Sequence, residues 1–234
     1  MAHSRAFRRT RPARPCYIDP VGATFLDDAA RDGFAHAVQT IEGASGAEVV
    51  IAVRRRSAGY LHANVIVGAV IAFAGLATML FVEDEFSLMS ILIDPFIAGL
   101  VAGALITLSA GIQRVLTPAA RRRREVEKAA RATFVERGIS NTRERTGLLV
   151  YISWLEREVA LVFDSGLERK LSPEARAEAA QALTAAVPHG GAAVATALEK
   201  LAPALAAVAP HRDDDINELP DAIDGDLGRR KAKA

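Results

Sequence analysis

The stretch ANVIVGAVIAFAGLATMLFV, residues 63–82, decides the architecture of this chain. It contains no charged residue, and its polar side chains are Asn64 and Thr78. A helix rises about 1.5 Å per residue, so a run of this length covers about 30 Å, the thickness of the hydrocarbon core of a bilayer. The stretch therefore predicts a membrane-spanning helix.

A second apolar run follows after a short loop and predicts a second span over residues 95–116. Asp94 and Pro95 favour a helix start here, because aspartate caps free amides and proline fits the first helical turn. The alternative is a pair of buried helices in a large soluble protein. Two runs of this length in close succession favour the membrane.

Small residues recur at every fourth position along the two runs. They are Gly68, Ala72, Gly99, Gly103, Thr107 and Gly111. Such spacing lets two helix backbones approach closely in lipid. We therefore expect residues 61–117 to form a transmembrane helical hairpin.

Charge asymmetry predicts the orientation of this hairpin. Arginines flank it on its outer sides, at Arg54, Arg55 and Arg56 before it and at Arg114 and Arg121 to Arg124 after it. The connecting loop carries Glu83, Asp84 and Glu85 and no basic residue. Positive residues stay cytoplasmic, so we expect a multi-pass protein of a bacterial inner membrane with both termini in the cytoplasm.

The same arginines could bind either nucleic acid or anionic lipid. A nucleic-acid-binding protein carries a strong basic field, whereas the net charge of this chain is +1. Anionic lipid beside the hairpin explains the arginine run more simply. We expect the lipid bilayer as a partner, together with an unidentified protein, and no nucleic acid.

The segment before the hairpin predicts one helix and one strand, over residues 24–60. Thr24 and Asp27 resemble a capping box, and apolar residues follow on one helical face up to Ile41. The sequence AEVVIAV, residues 47–53, is typical of a strand buried on both faces. Residues 1–23 predict a basic flexible arm.

The segment after the hairpin, residues 118–210, predicts further helices and two more strands. In chain order these are a charged helix over 118–137, inner strands over 148–154 and 158–163 joined as a hairpin, a helix that begins at Ser172, and a helix over 192–208 that Pro203 kinks or splits. One strand before the membrane and two after it do not make two stable sheets. We expect a single sheet, interrupted by the membrane hairpin, and a disordered tail over 211–234.

Three stretches carry a resemblance to a known family. They are IEGASGAEVVIAVRRRSAGY (41–60), FVERGISNTRERTGLLVYISWLEREVALVFDSGL (134–167) and DDDINELPD (213–221). Together they resemble the TPM domain, named after a thylakoid lumen protein, a photosystem II repair protein and a nematode modulator of acetylcholine receptors. The resemblance implies a bacterial membrane-anchored member with an α/β/α sandwich. Some family members are described as phosphatases or as divalent-cation binders.

The familiar catalytic motifs are missing from the sequence. It has no phosphate-binding G-x-x-x-x-G-K-[ST] loop, no G-x-S-x-G and no H-E-x-x-H. A cysteine phosphatase would need an arginine six residues after the single cysteine, Cys16, and that position is Gly22. No catalytic residue is predicted.

The acidic tail has the one spacing typical of metal binding. Asp213, Asp215 and Asn217 follow the D-x-D-x-N pattern of calcium loops. Glu218 and Asp224 stand where an EF-hand has glycine and glutamate, so the tail is not an EF-hand. Solvated charge is the alternative interpretation.

Asp164 completes the predicted metal site. It follows a strand, and ligands collect at strand ends in α/β sheets. With Asp213, Asp215 and Asn217 it would form an oxygen-rich site suited to calcium or magnesium. Otherwise Asp164 caps the turn that begins at Ser165.

Two functions remain open. One is a membrane-anchored, non-enzymatic interaction module that supports envelope or membrane-protein maintenance. The other is a divalent-metal-dependent phosphatase. The lack of a compact cluster of base, nucleophile and ligands favours the interaction module.

Overall fold

The computed structural model of the chain describes residues 25–211, 219 and 223–225. Its helices are α1 (Asp28–Ala44), α2 (Leu61–Phe81), α3 (Leu88–Leu105), α4 (Ala110–Val115), α5 (Ala119–Glu136), α6 (Ser165–Glu168), α7 (Pro173–Ala186), α8 (Gly191–Glu199) and α9 (Ala202–Val208). Its strands are β1 (Glu48–Arg54), β2 (Gly147–Ser153), β3 (Glu158–Phe163) and β4 (Asp224–Gly225). The protein is thus of the mixed α/β class, as the sequence predicts.

The four strands form one sheet in the order β3-β2-β1-β4. β1 pairs in parallel with β2, with Glu48 opposite Gly147, and in parallel with β4. β3 runs antiparallel to β2. β1 precedes the two apolar helices in the chain and β2 follows them, so the sheet joins segments on either side of the helical hairpin.

Alternating side chains of β1 supply two separate hydrophobic clusters. Val49, Ile51 and Val53 pack in a cluster with residues of α1, α7, α8 and α9. Val50 and Ala52 pack in a second cluster with residues of α5. Because both faces of the strand are covered, β1 carries the continuous apolar sequence that predicts a doubly buried strand.

The first helix shows the predicted apolar face. Its buried residues are Ala30, Phe34, Ala37, Val38 and Ile41. α1 begins at Asp28, and the Asp27 carboxylate caps it by accepting a hydrogen bond from the Ala30 amide at 2.8 Å. The predicted cap, Thr24, lies outside the described residues.

The contact between α2 and α3 confirms the role of the small residues. A Cβ atom added at Gly68 would lie 2.8 Å from the Gly99 carbonyl oxygen, and one at Gly103 would lie 2.7 Å from that of Asn64. The helix backbones therefore touch at these positions. Gly111 differs, because an added Cβ there meets no atom within 4 Å.

The predicted start of the second span at Pro95 is wrong. α3 begins at Leu88, where the Ser87 hydroxyl caps it by accepting from the Ser90 amide at 3.1 Å. Asp94 and Pro95 lie inside the helix. The proline is tolerated since a neighbouring helix packs against it, with Gly75 of α2 facing its ring.

The end of this helical segment is also interrupted. A 3-10 turn, Ile106–Leu108, follows α3, and α4 starts afresh after Ser109. The predicted continuous span over 95–116 is therefore two pieces.

Within the described residues, three helical segments are long and apolar enough to cross a membrane. They are Leu61–Phe81, Leu88–Leu108 and Gly191–Val208. The third is divided into α8 and α9, and Val194, Leu198 and Leu205 from it lie in the cluster beside α1. Packing on the sheet explains its apolar composition. The first two carry exposed apolar side chains along their length instead, such as Phe73 and Leu100.

The prediction of a disordered tail is wrong at Asp224 and Gly225, which add strand β4 to the sheet. Arg54 Nη1 donates to the Asp224 carbonyl oxygen at 2.6 Å, and Arg137 forms an ion pair with the carboxylate. Burial raises the pKa of Asp224, but the hydrogen bonds and charges of Arg54 and Arg137 outweigh it and hold the pKa below its usual value. The charges of Arg54 and Arg137 explain how β4, which carries the acidic Asp224, pairs with β1.

Candidate functional site

Of the four predicted metal ligands, the structure describes only Asp164. It lies at the end of β3, where one carboxylate oxygen accepts a hydrogen bond from the Ser165 amide at 2.6 Å and caps α6. The predicted partners Asp213, Asp215 and Asn217 lie outside the described residues. Among the described residues, no group of three histidine, cysteine or acidic side chains is placed to hold a metal ion.

The second carboxylate oxygen of Asp164 is buried and has no hydrogen-bond partner among the described residues. The residue as a whole is 6% exposed. A buried charged oxygen without a partner is unfavourable, so this atom is the one feature of the predicted metal site that favours a cation.

A different site lies along β3, which is an edge strand of the described sheet and not the inner strand that the sequence predicts. The Asp164 amide donates inward to the Gly147 carbonyl oxygen at 2.8 Å. The Val159 amide donates the other way, to Thr184 Oγ1 of α7 at 3.0 Å. Because main-chain groups alternate along an antiparallel strand, those of Leu161 and Phe163 also point away from β2.

This open edge forms the floor of a groove of about 540 Å³. One wall comes from α5 (Arg123, Val126, Glu127 and Arg131), the other from α7 (Arg176, Ala177 and Ala180), and Glu168 lies at one end. The strand is therefore recessed between two helices. This recess explains the wrong prediction: the helices cover both faces of β3, so its sequence is as apolar as that of an inner strand.

Charges of both signs line the groove walls. On α7, Arg176 forms an ion pair with Glu168 at 2.7 Å. Burial raises the pKa of Glu158, and the positive charges of Arg123 and Arg122 oppose this shift only in part. The groove thus combines an apolar floor with charged groups that can select a partner.

A buried polar cluster connects the sheet to the base of the helical hairpin. Its centre is Glu156, which is 0% exposed and lies in the turn between β2 and β3. The carboxylate accepts hydrogen bonds from the Tyr60 hydroxyl, the Ser153 hydroxyl and, at 3.0 Å, the Ser57 amide. The carboxylate thereby ties the chain that enters α2 to the soluble domain.

Burial, and then the hydrogen bond to Glu156, raises the pKa of the Tyr60 hydroxyl, so the tyrosine stays a donor. The sequence alone does not predict this polar cluster. A glutamate in a short turn usually faces solvent, and Tyr60 lies far from it in the chain.

One solved structure resembles the fold of this chain. The NMR structure of the BA42 protein from the psychrophilic bacterium Bizionia argentinensis superimposes with a TM-score of 0.52 and 16% sequence identity, covering 86% of this chain and 95% of that one. Identity at this level shows the fold alone. No protein-family profile matches the chain. No curated protein matches it either.

Proposed function

We propose that the protein is a membrane-anchored interaction module. In this proposal α2 and α3 anchor the chain in a bacterial inner membrane. The soluble part is a TPM-like α/β/α sandwich on the cytoplasmic side, and the β3 groove binds an extended segment of a partner protein.

The outward main-chain groups of Leu161 and Phe163 carry this proposal. An exposed sheet edge binds peptides by adding a strand, in which main-chain hydrogen bonds supply affinity and side-chain pockets supply specificity. Because the edge is recessed between α5 and α7, a bare extended segment fits, whereas the edge of another folded sheet would collide with the helices. This favours a peptide-like partner over a second copy of the domain.

The α5 wall predicts the character of that peptide. Arg123, Glu127 and Arg131 follow one another at intervals of four residues, which is about 6 Å along a helix. Side chains on one face of a strand recur at about 6.6 Å. Three successive side chains of an added strand would therefore meet positive, negative and positive groups, which favours an acidic, basic, acidic pattern at alternate positions.

The proposal predicts that Leu161→Pro abolishes peptide binding and leaves the fold intact. Proline removes the outward amide hydrogen of Leu161, which takes no part in pairing with β2, and the loss of Leu161 packing against the core is shared by an alanine variant. Leu161→Ala is the matched control, because it keeps that amide. Peptides selected from a random library on the detergent-solubilised full chain provide the ligand, and fluorescence polarisation measures their affinity.

We expect selected peptides to follow the alternating charge pattern and to bind the alanine variant but not the proline variant. Equal binding by both variants, with unchanged unfolding temperatures, would place the peptide site elsewhere and refute strand addition.

The alternative function, a metal-dependent phosphatase, is favoured by one observation, the buried oxygen of Asp164 that lacks a partner. Calcium or magnesium bound there would polarise a phosphoryl oxygen. Within the described residues Asp164 belongs to no group of three histidine, cysteine or acidic side chains that could hold a metal ion, so the interaction module is the better-supported proposal.

A further inference from the structure

A small cavity of about 170 Å³ lies where the soluble domain meets the helical hairpin. One side is the turn that enters α2, with Gly59, Tyr60 and His62. The other side begins at Thr117, just after α4, and continues into the first turns of α5. The cavity therefore lies at the base of both apolar helices, at the level where lipid headgroups would surround a membrane-inserted hairpin.

Arg122 supplies a fixed positive charge to this cavity. Its Nη1 donates to the carbonyl oxygens of Arg114 at 2.9 Å and Thr117 at 2.8 Å, which holds the guanidinium in place. Its Nε is buried and has no hydrogen-bond partner among the described residues. A buried donor without an acceptor is unfavourable, so an acceptor placed beside this atom would be stabilising.

The His62 ring forms a fixed part of the cavity wall. The Thr117 hydroxyl donates to the Gln113 carbonyl oxygen at 2.8 Å, so its hydrogen is already used. The contact of 3.3 Å between Thr117 Oγ1 and His62 Nε2 is then one in which the imidazole donates. This bond fixes the ring beside the cavity.

The charge balance at the cavity is positive. Arg121 and Arg122 both line it near the N-terminal end of α5, where the helix dipole also favours an anion. Glu125 is the opposing charge, but its carboxylate pairs with Lys128 at 3.1 Å.

We propose that this cavity binds the phosphate group of an anionic membrane lipid. Guanidinium groups bind phosphate through paired, charge-assisted hydrogen bonds, and the volume equals that of about five or six water molecules at about 30 Å³ each. Free phosphate offers the same chemistry, but the position at the base of both helices favours a lipid. The inference rests on the proposed membrane anchoring and is independent of the β3 groove.

The test compares two arginines of the same run. The full chain is purified in detergent, and native mass spectrometry counts retained phosphatidylglycerol. Arg121→Gln removes a charge that lines the cavity, whereas Arg124→Gln removes an equal charge that does not. We expect Arg121→Gln to lower retention about tenfold or more, the effect of losing one charge-assisted hydrogen bond to phosphate, and Arg124→Gln to lower it by no more than the smaller, non-specific attraction of one arginine to an anionic surface.

A third variant fills the cavity without altering charge. A Cβ added at Gly59 meets no atom within 4 Å, so Gly59→Val is expected to fold and to displace the lipid. Should it unfold, the two arginine variants still decide the matter.

Three results would overturn the proposal. Equal losses for Arg121→Gln and Arg124→Gln would show diffuse attraction only. Equal retention of cholesteryl hemisuccinate, an anionic lipid without phosphate, would exclude phosphate recognition. Stabilisation by inorganic phosphate that depends on Arg121, without selective lipid retention, would identify free phosphate as the ligand.

Membrane fractionation separates this inference from the proposed function. A chain that carbonate washing releases from membranes would contradict the anchoring itself. A chain that stays in the membrane but retains no lipid selectively would contradict only the phosphate site.

Discussion

Asp164 has two carboxylate oxygens in different situations. One accepts from the Ser165 amide and caps α6, while the other is buried without a partner among the described residues. The first oxygen confirms the alternative interpretation of Asp164 as a turn cap. The second leaves room for a cation, whose further ligands would come from Asp213, Asp215 and Asn217.

We therefore predict that calcium stabilises the full chain only if these groups converge. At free calcium a hundredfold above its dissociation constant, the free energy of unfolding rises by about 2.7 kcal/mol. Asp164→Asn would remove this gain and keep the cap, because asparagine caps helices as well as aspartate does. The unfolding temperature in detergent, with and without calcium, measures the effect.

Asp27→Asn is the control for this experiment. Asp27 is also a helix-capping aspartate, which accepts from the Ala30 amide of α1, but it belongs to no predicted metal site. An unfolding temperature that neither calcium nor magnesium changes, relative to a monovalent salt of equal ionic strength, would rule out the cation site and the phosphatase alternative with it.

At the residue scale, the sequence predicts a role when the cause is local. Asp164 could be placed at a strand end because the apolar run stops there. The sequence could not predict that Glu156 is buried, because its hydrogen-bond partners Ser57 and Tyr60 come before the two apolar helices in the chain, whereas Glu156 comes after them.

At the scale of elements, the α2–α3 contact depends on backbone approach. Gly99 packs against Gly68 and Ala72 so closely that any side chain there would collide with α2. We predict that Gly99→Leu separates the two helices and lowers the free energy of unfolding in detergent by about 1–3 kcal/mol or more.

Gly111→Leu is the matched control for Gly99→Leu. It adds the same side chain to α4, the helix that follows α3, where an added Cβ meets no atom within 4 Å. Thermal unfolding in detergent, together with a cysteine crosslink between α2 and α3, compares the two variants. Similar stability for both would contradict the observed helix contact.

Element boundaries were predicted well where one pattern stands alone and poorly where two compete. Ser172 begins α7 as predicted. The charged helix α5 ends at Glu136, one residue before its predicted end, and Gly138 follows with a φ of 64°. Asp94 and Pro95 have the pattern of a helix start but lie inside α3, which begins at Leu88 and is capped by Ser87. The edge position of β3 depends on strand order, which hydrophobicity does not encode.

At the scale of the whole molecule, sheet pairing constrains topology. In the sequence, β1 comes before the helical hairpin and β2 after it, yet the two strands are neighbours in the sheet. If the hairpin is inserted in a membrane, both of its ends must therefore lie on the same side of that membrane. Combined with the arginine asymmetry, this predicts cytoplasmic reporters near Arg56 and Arg124 and an external reporter in the loop over 83–85.

Fusions of alkaline phosphatase and a fluorescent protein at these three positions measure that topology. Replacing Glu83, Asp84 and Glu85 by glutamines is the control, because acidic residues contribute little to orientation. A cytoplasmic loop reporter would contradict the hairpin.

The pairing of β1 with β2 also has a consequence for biosynthesis. Arg54 leaves the ribosome about 90 residues ahead of Gly147, where its neighbouring strand begins. At roughly 5–20 residues per second, β1 waits roughly 5–20 s for that strand. Both apolar helices are translated during this wait. Under the proposed membrane anchoring, the hairpin is therefore delivered to the insertion machinery before the sheet closes. A nascent chain whose hairpin failed to insert would leave the main-chain groups of β1 unpaired and prone to aggregation.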